Sequence, residues 1–205
     1  MTVALAGASG ALADCVNAGG VAVFPTDTVY GLCCDPQSAG AVRRLYELKA
    51  RPPDKPAAIL FTSLELALAT LPELGERSRA AMCALLPGPA TLLLANPRGR
   101  FPLAGGGALL GVRVIDIGLA LPGPVLQSSA NLAGGPDARR LADVAGSIRD
   151  GADLVIDGGE LHGVASTVID LGDLDRAGVW RVLRLGGLSE QAVAASLDAG
   201  KLESR

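Results

Sequence analysis

Short apolar runs and amphipathic stretches take turns along this chain. Residues 21–24, 57–61, 92–95 and 111–115 read as strands, and residues 125–128, 154–156, 167–171 and 180–185 follow in the same style. Between them apolar residues recur at helical spacing. Leu12, Cys15 and Val16 predict a helix over 9–18, which Gly19-Gly20 end; Val42, Leu45 and Tyr46 predict another over 39–49, closed by Pro52-Pro53. Residues 63–86 read as two helical segments split near Pro72. Pro136 is read as the start of a helix running to about Arg149, and Ser189-Glu190-Gln191 as the cap of a last one. Strands and helices alternate without strict βαβ regularity, so the expected fold is α/β, a twisted mixed sheet flanked by helices.

Composition sets bounds on this picture. The chain has 205 residues, 49% hydrophobic and 19% charged, which is enough to bury a core in one domain. Only 3% is aromatic, so Ala, Val and Leu must fill that core. Net charge is -3 and the isoelectric point about 5.2, which argues against a protein whose main task is gripping nucleic acid. Cys15, Cys33, Cys34 and Cys83 form no C-x-x-C pair and are read as reduced thiols; with His162 the only histidine, no usual zinc set exists. No apolar run reaches membrane-spanning length, the N-terminal residues do not read as a cleavable leader, and the expected location is the cytoplasm.

Charge is uneven. Between Arg43 and Lys55 lie five cations (Arg43, Arg44, Lys49, Arg51, Lys55) against Glu47 and Asp54. If the chain is extended before Pro52, Lys49 and Arg51 point the same way and can hold one anion, with Lys55 near by; the plainer reading is a solvated turn with Lys49 at a helix C-terminus. Ser129 and Asn131, also two apart, lie on a loop after a strand, as ligand donors or as an ordinary turn. His162 is read as a surface-loop histidine, and Asp27 either holds a metal or caps its turn. Ala6-Gly7-Ala8-Ser9-Gly10 lacks a third glycine and a G-x-x-x-x-G-K-[ST] run is missing, so any nucleotide must be held by side chains and irregular turns.

These motifs together resemble the YrdC-like family. The resemblance rests on Phe24-Pro25-Thr26-Asp27-Thr28-Val29-Tyr30-Gly31-Leu32, on Lys49-Ala50-Arg51 with Ser129-Ala130-Asn131, and on further segments in family order from about residue 10 to 188. It implies a mixed sheet around a wide, basic, concave cleft. It also implies an enzyme that joins L-threonine, bicarbonate and ATP, with magnesium, into threonylcarbamoyl-AMP and pyrophosphate for tRNA modification. By resemblance Lys49, Arg51, Lys55, Ser129, Asn131 and Arg184 face ATP, with Lys49 and Arg51 catalytic. Thr28, Arg113 and Ser166 hold threonine, and no protein-bound metal is implied.

A synthase domain over 1–190 is expected, with 191–205 a C-terminal helix and loose tail, and without the further C-terminal domain of longer relatives. A downstream tRNA threonylcarbamoyl transferase is the implied partner, with direct RNA contact secondary. Departures from the family pattern are Val114-Ile115 where a proline is common, Leu60-Phe61 where some relatives have histidine, and Gln127 where Thr or Ala is usual. Two alternatives are a non-catalytic RNA-binding or ribosome-associated module and a paralogous carbamoyl-adenylate enzyme of the same fold. The low isoelectric point and the lack of aromatic platforms count against the first.

Overall fold

The computed structural model describes residues 1–52 and 54–199. Ten strands among these residues form one mixed sheet: β1 (Thr2–Ala4), β2 (Ala22–Phe24), β3 (Gly31–Cys34), β4 (Ala58–Phe61), β5 (Ala90–Ala95), β6 (Leu109–Val114), β7 (Val125–Ser129), β8 (Leu154–Asp157), β9 (Thr167–Asp170) and β10 (Arg181–Arg184). Their order across the sheet is β1-β8-β2-β3-β7-β4-β6-β5-β9-β10. Four neighbouring pairs are parallel (β1 with β8, β8 with β2, β4 with β6, β5 with β9), and the others are antiparallel. Helices α1 (Ala8–Asn17), α2 (Ala39–Leu48), α3 (Leu64–Thr70), α4 (Glu76–Leu85), α5 (Gly146–Gly151), α6 (Leu174–Ala177) and α7 (Glu190–Ala199) flank it.

Strand side chains alternate between faces, and here the two faces differ in chemistry. On one face Leu32, Ile59, Phe61, Leu92, Val112, Val114 and Leu126 form the main core with the buried sides of α2 and α4. On the other, the residues between them are small or polar: Gly31, Ala58, Gly111, Arg113 and Gln127. At one end α1 covers this second face, packing Leu12 and Val16 with Phe24, Cys33 and Leu60. The middle of the face is left as a hollow.

Local signals account for most elements. Ser38 and Ser63 cap α2 and α3, accepting from Ala41 N–H at 3.3 Å and Leu66 N–H at 3.1 Å. Ser189 caps α7 by accepting from Ala192 N–H, and Val193 and Leu197 bury that helix in the main core. The expected loose tail beyond Ala199 lies outside the described residues. Cys33 and Cys34 are buried and Cys83 is exposed, all as free thiols.

Two expectations are corrected. No long helix starts at Pro136; residues 141–143 form one 3-10 turn and only Gly146–Gly151 is α-helical. The carbonyls that such a helix would use internally are taken elsewhere. Ala138 O accepts from Tyr30 N–H at 2.8 Å and Arg139 O from Leu161 N–H at 2.8 Å, so the segment stays extended. The strands β1 and β3 go beyond the predicted set; β3 pairs with β2 as a hairpin directly after the Thr-rich turn.

The second correction concerns the end of α2. Lys49 keeps a helical backbone, Ala50 turns left-handed (φ 48°), and Arg51 N–H reaches back to Tyr46 O at 2.9 Å while Ala50 N–H bonds Glu47 O. This is a Schellman ending with alanine where glycine is usual. It is not an extended segment, so Lys49 and Arg51 point apart. Ala50→Gly should therefore stabilise the fold by about 1 kcal/mol; a denaturation midpoint that fell instead would mean that the turn carries no left-handed strain.

Candidate active site

The hollow is a cavity of about 320 Å³. The turn between β2 and β3 forms one wall. Thr26 Oγ1 donates to Val29 O at 2.7 Å and accepts from the Thr28 and Val29 amides, a side-chain-closed turn that presents Thr28 to the cavity. Tyr30 pins the same turn to the loop after β8. Its hydroxyl accepts from Gly158 N–H and donates to Gly159 O, both at 2.9 Å, and burial raises its pKa to about 12.

Arg113 rises from the centre of the sheet. It is 4% exposed, and Nη2 donates to Asp27 Oδ1 at 2.5 Å and to Thr28 Oγ1 at 3.1 Å. Nη1 reaches Gln127 Oε1 at 3.3 Å, and Nε is enclosed without a partner. Burial lowers the guanidinium's pKa against the attraction of Asp27, and burial raises that of Asp27 against the attraction of Arg113. Neither charge is comfortable without the other. Asp27 thus serves as the counter-ion of Arg113; the described residues contain no group of three or more His, Cys, Asp or Glu that could hold a metal.

The opposite wall comes from β5, β9 and β10. Ser166 Oγ lies 2.7 Å from Thr91 Oγ1, and Arg184 Nη2 donates to Ser166 O at 2.8 Å. Behind them Thr167 Oγ1 donates to Leu188 O and accepts from the Gly186 and Leu188 amides, fastening the wall. A side chain at Gly187 would meet Pro89, its Cβ 2.6 Å from Pro89 Cβ, so only glycine lets the two loops touch.

Of the residues singled out in the sequence, Thr28, Arg51, Arg113, Ser129, Ser166 and Arg184 line this one cavity. Arg51 stands at its edge, donating to Pro56 O at 2.6 Å and lying 5.9 Å from the centre of the Tyr46 ring. Lys55 is exposed and outside the lining. Lys49 is 1% exposed behind the wall, where its ammonium donates to Ser129 O, to Asn131 O at 2.7 Å and to Asn131 Oδ1 at 3.2 Å. Asn131 Oδ1 also accepts from Ser129 Oγ at 2.5 Å. Lys49 and Asn131 therefore brace Ser129 from behind the cavity. Burial, with Arg51 adding to it, brings the Lys49 pKa down to about 8.

His162 is exposed in a neighbouring groove that shares Thr28 with the cavity. Thr91, Gln127 and Asp137 also line the cavity. A readable signal for Gln127 was the alternation itself, since small and polar residues in β4, β6 and β7 mark the uncovered face.

The open face of the mixed α/β sheet carries Arg113 among hydroxyls, with Arg51 at the edge of the cavity and Arg184 on its far wall, an arrangement whose chemistry suits a small anionic molecule. A family model described as Telomere recombination, Sua5_yciO_yrdC, matches residues 14–186, and the chain belongs to that family. It is 34% identical over 184 residues to a threonylcarbamoyl-AMP synthase of Pyrococcus abyssi, covering 84% of this chain and 52% of that protein. It is 37% identical over 172 residues to one of Chromohalobacter salexigens, covering 78% of this chain and 92% of that protein. The chain thus spans about half the length of the first relative and nearly all of the second. The structure of P. abyssi Sua5 complexed with L-threonine is 32% identical with a TM-score of 0.80, over 90% of this chain and 55% of that one. Escherichia coli YciO gives 25% identity and a TM-score of 0.73, over 88% and 90%.

Proposed function

We propose that this chain is a threonylcarbamoyl-AMP synthase acting in tRNA modification. The observation that carries the reading is the convergence of Thr28, Arg113 and Ser166 with Ser129, Arg51 and Arg184 on one cavity. The first three suit an amino acid, with Arg113 taking its carboxylate; the second three suit phosphates. Lys49 and Asn131 act by holding Ser129, and Lys55 meets the outer phosphates from the rim.

The reaction makes modest demands on side-chain chemistry. The threonine amine forms a bond to the carbon of bicarbonate, and water leaves. A carbamate oxygen then bonds to the α-phosphorus of ATP, and the bond to the β-phosphate oxygen breaks to release pyrophosphate. The protein must align three reactants and neutralise negative charge, and alignment alone contributes roughly 7 to 11 kcal/mol. Magnesium enters with ATP, a hard cation held mainly by phosphate oxygens.

The product passes to a tRNA threonylcarbamoyl transferase in the cytoplasm. Among the described residues no helix is long and apolar enough to cross a membrane. Pyrophosphate release from purified protein with ATP and magnesium tests the reading, with threonine and bicarbonate omitted in turn. Release that requires both is expected. Release without threonine points to another carbamoyl acceptor, and no release from protein that binds ATP rejects the synthase.

A further inference from the structure

Asp137 is the one carboxylate among the described residues that line the cavity, and it has no hydrogen bond or ion pair with any of them. The cations that share the cavity are engaged elsewhere. Arg51 donates to Pro56 O at 2.6 Å, Arg113 to Asp27, and Arg184 to Ser166 O at 2.8 Å. Lys49, behind the wall, directs its donors at Ser129 O and Asn131. An acid left unpaired among arginines serves none of the contacts that hold the empty site together.

The backbone fixes where this acid stands. Ala130 N–H donates to Tyr30 O and Tyr30 N–H to Ala138 O, both at 2.8 Å, while Asn131 Nδ2 donates to Gly135 O at 2.6 Å. Residue 137 thus lies between two anchored positions, on the segment that leaves Ser129 and returns beside the Thr28 turn. Its negative charge raises the pKa of Lys49 against the effect of burial. It therefore belongs to the half of the cavity with Ser129 and Arg51, where the synthase reading puts the phosphates.

A carboxylate facing a triphosphate repels it unless a cation stands between them. ATP brings that cation. Magnesium takes oxygen ligands, and in nucleotide sites it is bound through one or two carboxylates together with substrate phosphates, with water completing the set. The described residues alone offer no metal-binding group, so the acid and the nucleotide must make one together. We propose that Asp137 is the protein's ligand for the magnesium ion that ATP carries, and that it makes the cavity select metal-loaded nucleotide over free ATP. The inference rests on the synthase reading above and extends it from the substrates to the form in which one of them is accepted. Free ATP meets a bare carboxylate and is disfavoured, whereas the magnesium complex turns the same group into a contact. The three arginines attract both forms.

Calorimetric titration with ATP in excess EDTA and with ATP plus magnesium tests this, without threonine or bicarbonate so that nothing turns over. In wild-type protein magnesium should tighten ATP binding by at least about tenfold. Asp137→Asn should bring that ratio to within about threefold, while binding free ATP as well as wild type does or up to about fivefold better. Asp137→Ser should do the same, and because Asp137 is exposed both variants should melt with the wild type. A wild-type affinity indifferent to magnesium, or variants with an unchanged ratio, overturns the inference and leaves the synthase to its own test of pyrophosphate release. Variants that lose affinity for both forms equally also overturn it, since the carboxylate would then accept from a nucleotide hydroxyl. Wild-type protein that binds ATP in neither form rejects the synthase along with the inference.

Discussion

Arg113→Met should lower kcat/KM for threonine by about two to three orders of magnitude while the KM for ATP changes little. The side chain is the buried cation of the cavity, and truncating one partner of a desolvated charge pair costs about 2 to 5 kcal/mol. The loss should also reach stability, by about 3 to 5 kcal/mol, because Asp27 would keep its burial and lose its counter-ion. Its carboxyl already titrates above the ordinary range, and removing Arg113 pushes it further up. A carboxylate whose folded pKa is raised holds its proton in the folded state after the unfolded chain has lost it. Stability then falls as pH rises from the unfolded value through the folded one, so the variant's deficit should be smaller near pH 5 than at pH 7. Kinetics against threonine concentration, with denaturant melts at both pH values, read the two effects. An unchanged threonine dependence would remove Arg113 from the site.

Lys49→Met is the second large effect, and it should appear first in stability. The three donors of the ammonium meet three oxygens, Ser129 O, Asn131 O and Asn131 Oδ1. Methionine of similar length leaves those oxygens unpaired behind the wall, at a cost of about 3 kcal/mol. Ser129 loses its brace, so the KM for ATP should rise with it. The pH dependence has a definite sign. An unfolded lysine keeps its proton up to its ordinary pKa of 10.5, while folded Lys49 gives it up near 8. Across that window the unfolded chain binds the extra proton, so Lys49 makes the wild type more stable as pH rises. The gap in unfolding free energy between wild type and Lys49→Met should therefore widen from pH 8 to pH 10. A gap that narrowed would mean that the ammonium is held charged more tightly than its burial implies.

Much of this arrangement was legible in the residues, and the misses have physical causes. Apolar runs located most strands because each buries at least one face, and Ser189 marked the start of the last helix. The turn around Thr26 was readable because its closure is local. The direction of Lys49 was not, since it depends on two carbonyls contributed by β7 and the following loop. Residues 136–140 carry helix-compatible residues, but their backbone is claimed by Tyr30 and Leu161, which no local pattern announces. The pairing of Asp27 with Arg113 likewise joins a turn to a strand that only the sheet order brings together. Long-range partners, more than local conformation, separate the motif from the site.

That sheet order also governs when the site can come into being. Thr2 pairs with Val155 and Ala90 with Thr167, while the last arginine of the cavity is Arg184. Pairings this distant close slowly and late. During synthesis the hairpin that carries Thr28 emerges early, yet the wall of Ser166 and Arg184 is among the last parts of the domain to leave the ribosome. A nascent or prematurely terminated chain therefore has no enclosed cavity, and such products would be inactive instead of releasing a reactive adenylate from half a site.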